Sequence, residues 1–272
     1  MREDNKIQAA IRDRVAESKE DPLHLQTMTV NPLDERIKDA ILSTGVGVFG
    51  SGKCGKTNLV KIIAGQLHQD PDIQLKIFDK AQNWVHEFEE ILYQDLDIYT
   101  LEREGFYFGD QPILFNCRVT NPREIRTISS EIVGYDYDLH WEFKEVEEME
   151  RWIVYVIEEA QNILGSIGIY DIWNTFISEG RNFNMAFIFI ARRMAQVSTK
   201  ARENMQSFIW GRMLGENDLK KIRQVAGKEI AEAVQELPRY EFIYYCAGEP
   251  YRIVDVPLYE AQGMPIRWDG ND

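Results

Sequence analysis

The residues of this chain best equipped for chemistry begin at Gly50-Ser51-Gly52-Lys53-Cys54-Gly55-Lys56-Thr57, a full match to the spacing G-x-x-x-x-G-K-[ST]. Glycines at these positions let main-chain N–H groups turn inward around an anion without a Cβ in the way. A helix that follows adds the positive end of its dipole. The pattern therefore predicts a nest for a nucleoside triphosphate, with ATP the expected ligand. Lys56 would reach the β and γ phosphates as a point charge, and the Thr57 hydroxyl would hold Mg2+ bridging them. Lys53 and Cys54 fill variable positions; Lys53 either adds charge near the phosphates or is an ordinary solvated lysine. Asn58 completes the set expected to bind the nucleotide.

A second acidic element follows the apolar run Trp152-Ile153-Val154-Tyr155-Val156-Ile157, which ends in Glu158-Glu159-Ala160-Gln161-Asn162. Two carboxylates just past the carboxyl end of a strand stand where open α/β sheets bind ligands. In that role Glu158 would bind the metal through water. Glu159 would polarise the water that attacks the γ-phosphate. The plainer alternative is that the pair simply begins the next loop.

These residues need a scaffold, and the chain supplies its pattern. From Gly45 onward, short apolar runs alternate with longer amphipathic stretches, the signature of βαβ units on a mostly parallel sheet flanked by helices. Val46–Phe49 reads as a buried strand before the phosphate loop, and Thr57–Leu67 as the helix after it. Further strands are expected at Ile73–Phe78, Ile113–Val119, Trp152–Ile157 and Met185–Ile190. Asn121-Pro122 forms a cap and first-turn pair, and a crossover helix is expected over Tyr170–Phe183. One long amphipathic helix is expected from about Asn217 to Leu237, before a C-terminal hairpin of Tyr240–Cys246 and Tyr251–Val256. The acidic stretch Glu142–Glu150 reads as a solvated helix face, and Phe106-Tyr107-Phe108 as core packing or a loop anchor. The chain divides into an N-terminal arm at 1–40, a core at 41–258 and a tail at 259–272.

Composition narrows the function. With 31 Lys+Arg against 45 Asp+Glu, the net charge of −14 opposes passive adhesion to nucleic acid or anionic membrane, so any DNA contact must be local. Three widely spaced cysteines, Cys54, Cys117 and Cys246, suit free thiols in a reducing compartment. The charged start Met1-Arg2-Glu3-Asp4 is unlike a signal peptide, and no apolar run approaches the roughly 18 residues of a membrane span. The expectation is a cytoplasmic protein without membrane insertion, virion-associated if viral.

The loop GSGKCGKT, the strand IVYVIEEAQN, and then SEGRNFNMAFIFIARRMAQVS and ENMQSFIWGRM resemble, in order and spacing across about 45–256, the FtsK/HerA superfamily of P-loop motors. That superfamily includes bacterial DNA translocases, conjugation ATPases and viral genome-packaging ATPases. The resemblance implies a RecA-like P-loop NTPase sheet, a homo-oligomeric ring, expected to be a hexamer, and double-stranded DNA threaded through its pore. Carried over by position, Gly50 to Thr57 match the nucleotide loop and Glu158 and Glu159 the Walker B pair. Arg181 matches the arginine preceding the fourth strand of the family, an arginine-finger candidate whose plain alternative is a helix-end arginine. Arg212 is a second candidate. The family's Thr-Gln-Arg-Pro-like sensor is replaced by Ala191-Arg192-Arg193-Met194-Ala195-Gln196, so Arg192 or Gln196 would take the sensor's place.

Lys200, Arg202, Lys220, Lys221 and Arg223 are candidate pore-facing phosphate contacts, each also readable as ordinary surface charge. The expected function is an ATP-hydrolysing motor moving double-stranded DNA, of a phage or viral packaging type or a minimal HerA-like one. The alternative is an ATP-dependent oligomeric switch or scaffold that moves no DNA. A small-molecule kinase fits less well, for no Arg-rich lid or acceptor pocket is visible.

Overall fold

A computed structural model describes residues 29–30, 35–80, 83–84, 92–95, 112–117, 121–145, 151–165 and 171–256. The aromatic run at 106–108, most of the acidic stretch at 142–150, and most of the arm and the tail lie outside these residues.

In chain order the elements are β1 (Thr29–Val30), α1 (Glu35–Thr44), β2 (Val46–Phe49), α2 (Lys56–His68), β3 (Ile73–Asp79), β4 (Leu92–Asp95) and β5 (Ile113–Asn116). They continue with α3 (Pro122–Glu145), β6 (Trp152–Ile157), α4 (Gln161–Leu164), α5 (Asp171–Glu179), β7 (Met185–Ala191), α6 (Thr199–Asn204) and β8 (Ser207–Trp210). Last come α7 (Glu216–Ala226), α8 (Lys228–Glu236), β9 (Glu241–Cys246) and β10 (Arg252–Asp255). The ten strands form one sheet in the order β1-β10-β9-β8-β2-β7-β6-β3-β5-β4. From β8 to β4 all neighbours run parallel, while β9 pairs antiparallel with both β8 and β10. The sheet is the mostly parallel one expected, with the C-terminal hairpin on its flank.

The central strands are apolar on both faces because both are covered. Ile153, Tyr155 and Ile157 of β6 face a core shared with α3, α5, α7 and α8, whereas Val154 and Val156 face the core of α1 and α2. The same alternation runs along β7, with Phe187 and Phe189 on one side and Ile188 and Ile190 on the other. Period-2 alternation with no polar side is the pattern of a parallel sheet buried between two helical layers.

Local rules explain most boundaries. Asn121 caps α3, its Oδ1 accepting from the N–H groups of Arg123 at 3.0 Å and Glu124 at 3.1 Å, while Glu124 Oε2 accepts from the Asn121 N–H at 3.4 Å. Pro122 opens the first turn, where its missing N–H does no harm.

Three expectations are corrected. The single helix over 217–237 is two, α7 and α8, divided at Gly227 with φ +93°. Periodicity concealed the break because Leu219 and Ile222 before it and Ile230, Ala231 and Val234 after it are all buried. The crossover helix is α-helical only to Glu179 and then tightens into a 3-10 turn at Gly180–Phe183, ending at Asn184 with φ +51°. The strand at Ile113 ends at Asn116 rather than at 119. Three short strands, β1, β4 and β8, had no counterpart among the strands expected from the sequence. Thr29–Val30 pairs with β10, and α1 runs across residue 40, the boundary expected between arm and core.

Candidate functional site

Because β3, β6, β7, β2 and β8 are parallel neighbours, their carboxyl ends lie along one edge of the sheet. The residues just beyond those ends are Asn83, Glu158, Arg192, Gly50 and Arg212, one group from each strand. The candidate site is built there.

The loop after β2 is held by main chain and by close packing. Ser51 N–H donates to Arg212 O at 2.8 Å, and Gly211 N–H donates to Phe49 O at 2.8 Å. A Cβ on Gly50 would stand 2.7 Å from Cys54 Sγ, and one on Gly211 would stand 2.9 Å from the same sulfur. Cys54 is therefore the loop's buried floor, which requires glycine on both flanking segments. Lys53 takes φ +65° at the exposed turn, and nothing lies within 4 Å of a Cβ added to Gly52. Gly55, at φ +105°, precedes α2, whose start has no side-chain cap. A helix beginning so presents main-chain donors and a positive dipole end to an anion.

Lys56 Nζ lies back over the loop, donating to Gly50 O at 2.8 Å and Ser51 O at 3.0 Å, with Cys54 Sγ at 3.8 Å. Burial lowers its pKa, and the positive charge of Arg192 adds to that lowering, which places both cations in one electrostatic environment. Thr57 Oγ1 donates to Glu158 Oε1 at 3.0 Å, linking α2 to the end of β6. The other Glu158 oxygen accepts from Asn83 Nδ2 at 2.9 Å. Glu158 is 6% exposed, and burial raises its pKa, with the nearby Asp79 charge pushing the same way.

A buried carboxylate met by neutral donors and by a second carboxylate suits a cation. Among the described residues no group of three or more His, Cys, Asp or Glu forms a metal cluster. A cation here would thus rest on the Thr57 hydroxyl, the Glu158 carboxylate and phosphate oxygens.

Glu159 differs from its neighbour. It adopts φ +49°, its side chain is 29% exposed, and Arg192 Nη2 lies 3.1 Å from Oε1 while Asn162 Nδ2 lies 3.4 Å from Oε2. A carboxylate at such a turn reaches solvent beside the loop, whereas Glu158 does not. The two expected roles, metal holding and water activation, fall on a buried and an accessible acid respectively.

The structure thus brings Gly50 to Asn58, Glu158, Glu159 and Arg192 together and leaves Arg181 out. Arg181 sits in the turn before β7, at the amino edge of the sheet, lining a cavity of about 180 Å³ with Gly45, Met185 and Gln206. Arg212 reaches the site through its carbonyl, its side chain being exposed, and Gln196 is exposed in a 3-10 turn. Of the basic candidates, Arg202 bonds Val197 O and Thr199, Lys221 bonds Gln224, and Arg223 pairs with Glu216; Lys200 and Lys220 are exposed.

Sequence reasoning missed Asn83, Asp79 and Tyr240. Asp79 ends a strand beside β6, and its Oδ2 accepts from the Trp84 N–H at 3.1 Å, shaping the segment that delivers Asn83. An acid closing an apolar run was the available signal. Tyr240 N–H donates to Cys54 O at 3.1 Å from far along the chain, a contact no local pattern announces.

No family model and no curated protein matches the chain. Solved structures do. The genome-packaging NTPase B204 of Sulfolobus turreted icosahedral virus 2, in complex with ATP-gammaS, is 16% identical with a TM-score of 0.59, covering 84% of this chain and 100% of that one. The bacterial conjugative coupling protein TrwBdeltaN70 is 9% identical with a TM-score of 0.61, covering 84% and 88%. The pCW3 conjugation coupling protein TcpA with ATPgS is 16% identical with a TM-score of 0.52, covering 82% and 63%. The chain has the fold of these RecA-like P-loop NTPases, and the resemblance read from its motifs is borne out at that level. No helix among the described residues is long and apolar enough to cross a membrane.

Proposed function

We propose that this chain is an ATPase of the FtsK/HerA superfamily that works as a homo-oligomeric ring, expected to be a hexamer, and translocates double-stranded DNA, in the manner of a genome-packaging motor. The observation that carries the reading is the Thr57–Glu158 contact at 3.0 Å, which joins a complete phosphate loop to a buried acid at the next strand but one, with an accessible acid beside it. Similarity of fold to a packaging NTPase and to conjugative coupling proteins supports the choice of motor over kinase.

In this reading the main chain of 50–57 and the start of α2 cradle the phosphates, and Lys56 leaves its loop carbonyls for the phosphate oxygens. Thr57 and Glu158 would hold Mg2+, which when bound would supply charge neutralisation for the phosphates. Glu159 orients the attacking water and accepts its proton. Arg192, just past the end of the neighbouring strand β7, takes the sensor's part in this reading. Arg181 reaches the site of an adjoining subunit, where its charge meets that developing on the γ-phosphate. The core is proposed to span 41–258, with the arm before it and the tail after it, and the protein to act in the cytoplasm or a virion.

The net charge of −14 favours the second reading, an ATP-dependent switch or scaffold that binds a protein partner. ATP turnover measured with and without double-stranded DNA at stated salt, beside a native mass, separates the two. DNA-stimulated turnover by a ring supports the motor, and ATP-dependent assembly indifferent to DNA supports the switch. A chain that neither binds nor turns over ATP refutes both.

A further inference from the structure

The segment joining α8 to β9 docks directly on the phosphate loop. Tyr240 N–H donates to Cys54 O at 3.1 Å, while Tyr240 O accepts from Val256 N–H at 3.0 Å, so the residue is pinned between the loop and the C-terminal strand region. Its backbone takes φ +70°, a conformation rare for an aromatic residue and kept only where surroundings enforce it. The consequence is placement of the ring. A Cβ on Gly55 would lie 2.4 Å from that ring, which therefore rests against the residue preceding α2. Over the ring, 4.6 Å from its centroid, lies the guanidinium of Arg239, itself exposed.

We infer that Arg239 and Tyr240 form a stacking platform for the base of the bound nucleotide. The inference rests on the phosphate-site reading above. Phosphates held at 50–57 leave the ribose and base to extend past the loop, and a planar cation stacked on an aromatic ring at Gly55 offers a surface matched to a flat base. Gly55 gains a second reason to be glycine, since a side chain there would displace the platform as well as strain the backbone.

Stacking engages the π-face that every base has, whereas discrimination among bases requires hydrogen bonds to their edges. The platform should therefore accept ATP and GTP with similar affinity and bind both far better than inorganic triphosphate.

The test measures binding of ATP, GTP and inorganic triphosphate to the full chain by calorimetry, for wild type and for Tyr240→Ala, Tyr240→Phe and Arg239→Ala. Loss of one stacked base corresponds to about 10–100-fold in affinity. The expected result is a loss of that size for ATP and GTP in Tyr240→Ala, a smaller loss in Arg239→Ala, retention in Tyr240→Phe, and unchanged triphosphate binding throughout. If Tyr240→Ala weakens triphosphate as much as ATP, the ring merely props the loop and the platform is refuted. Equal affinity of wild type for ATP and triphosphate also overturns it. A wild-type chain that binds none of the three sinks the phosphate-site reading first. Arg239→Ala, at an exposed position, keeps the test open should Tyr240→Ala fail to fold.

Discussion

Beneath the site, Lys76 of β3 and Asp136 of α3 form an ion pair whose side chains are 2% and 1% exposed. Lys76 Nζ donates to both Asp136 oxygens at 2.7 Å, and the Tyr155 hydroxyl of β6 donates to Oδ2 as well. Asp136→Leu would take the buried counter-charge from Lys76 and the acceptor from the Tyr155 hydroxyl. Removing one partner of such a pair costs about 3–5 kcal/mol. Over 272 residues the entropy of unfolding is about 0.6 kcal/mol/K, so the thermal midpoint should fall by about 5–9 °C. Restoring consistency should restore stability. The triple variant Lys76→Met, Asp136→Leu, Tyr155→Phe removes these three polar groups together, and it should unfold within about 1 kcal/mol of wild type or above it. The assay is thermal and urea unfolding followed by circular dichroism for wild type, each single variant and the triple. A triple variant as unstable as Asp136→Leu would refute the reasoning, for the loss would then come from packing volume and not from the broken charge pair. A single variant within about 1 kcal/mol of wild type would refute it equally.

Lys56→Ala should abolish nucleotide binding, whereas Glu159→Gln should keep it and slow turnover by about 100- to 10,000-fold; equal turnover in the two variants contradicts the assignment. Because burial raises the Glu158 pKa, Mg2+-dependent nucleotide binding should weaken as pH falls, starting above the range of an ordinary glutamate. The sign for stability is opposite: this group favours the folded chain below its unfolded pKa, and that contribution is lost as pH rises through the folded value. Melting with and without Mg2+-nucleotide across pH reads both trends, and Glu158→Gln should flatten both. Arg181→Ala subunits should lack turnover alone yet regain part of it when mixed with Glu159→Gln subunits, and a mixture as inactive as either parent counts against a finger supplied by a neighbour.

The central sheet was legible because its physics is local. Val46–Phe49, Trp152–Ile157 and the run from Met185 are continuous apolar segments of strand length, and each became a buried parallel strand. The turn after β2 was legible because glycine spacing reports backbone geometry directly, and Gly55 takes φ +105° there. What escaped depends on pairing between distant segments. β1 owes its place to β10, Asn83 meets Glu158 only because β3 neighbours β6, and Tyr240 reaches Cys54 across nearly the whole described chain. The split at Gly227 escaped for a different reason, since both halves bury the same kind of face and a single glycine is tolerated within helices as well as between them.

The strand arrangement also decides which roles one subunit can fill. Arg181 precedes Met185 and Arg192 follows Ala191, so β7 separates them. Its seven residues, at about 3.3 Å each, hold the two arginines roughly 20 Å apart on opposite edges of the sheet. An extended arginine side chain spans far less than that, and the strand between is hydrogen-bonded on both sides, to β2 and β6. Arg181 therefore does not reach the loop after β2 of its own chain, whereas Arg192 stands on the same edge of the sheet as that loop. If Arg181 is the finger proposed above, the contact that delivers it must be head-to-tail, because only a meeting of unlike edges brings the amino edge of one chain to the loop of another.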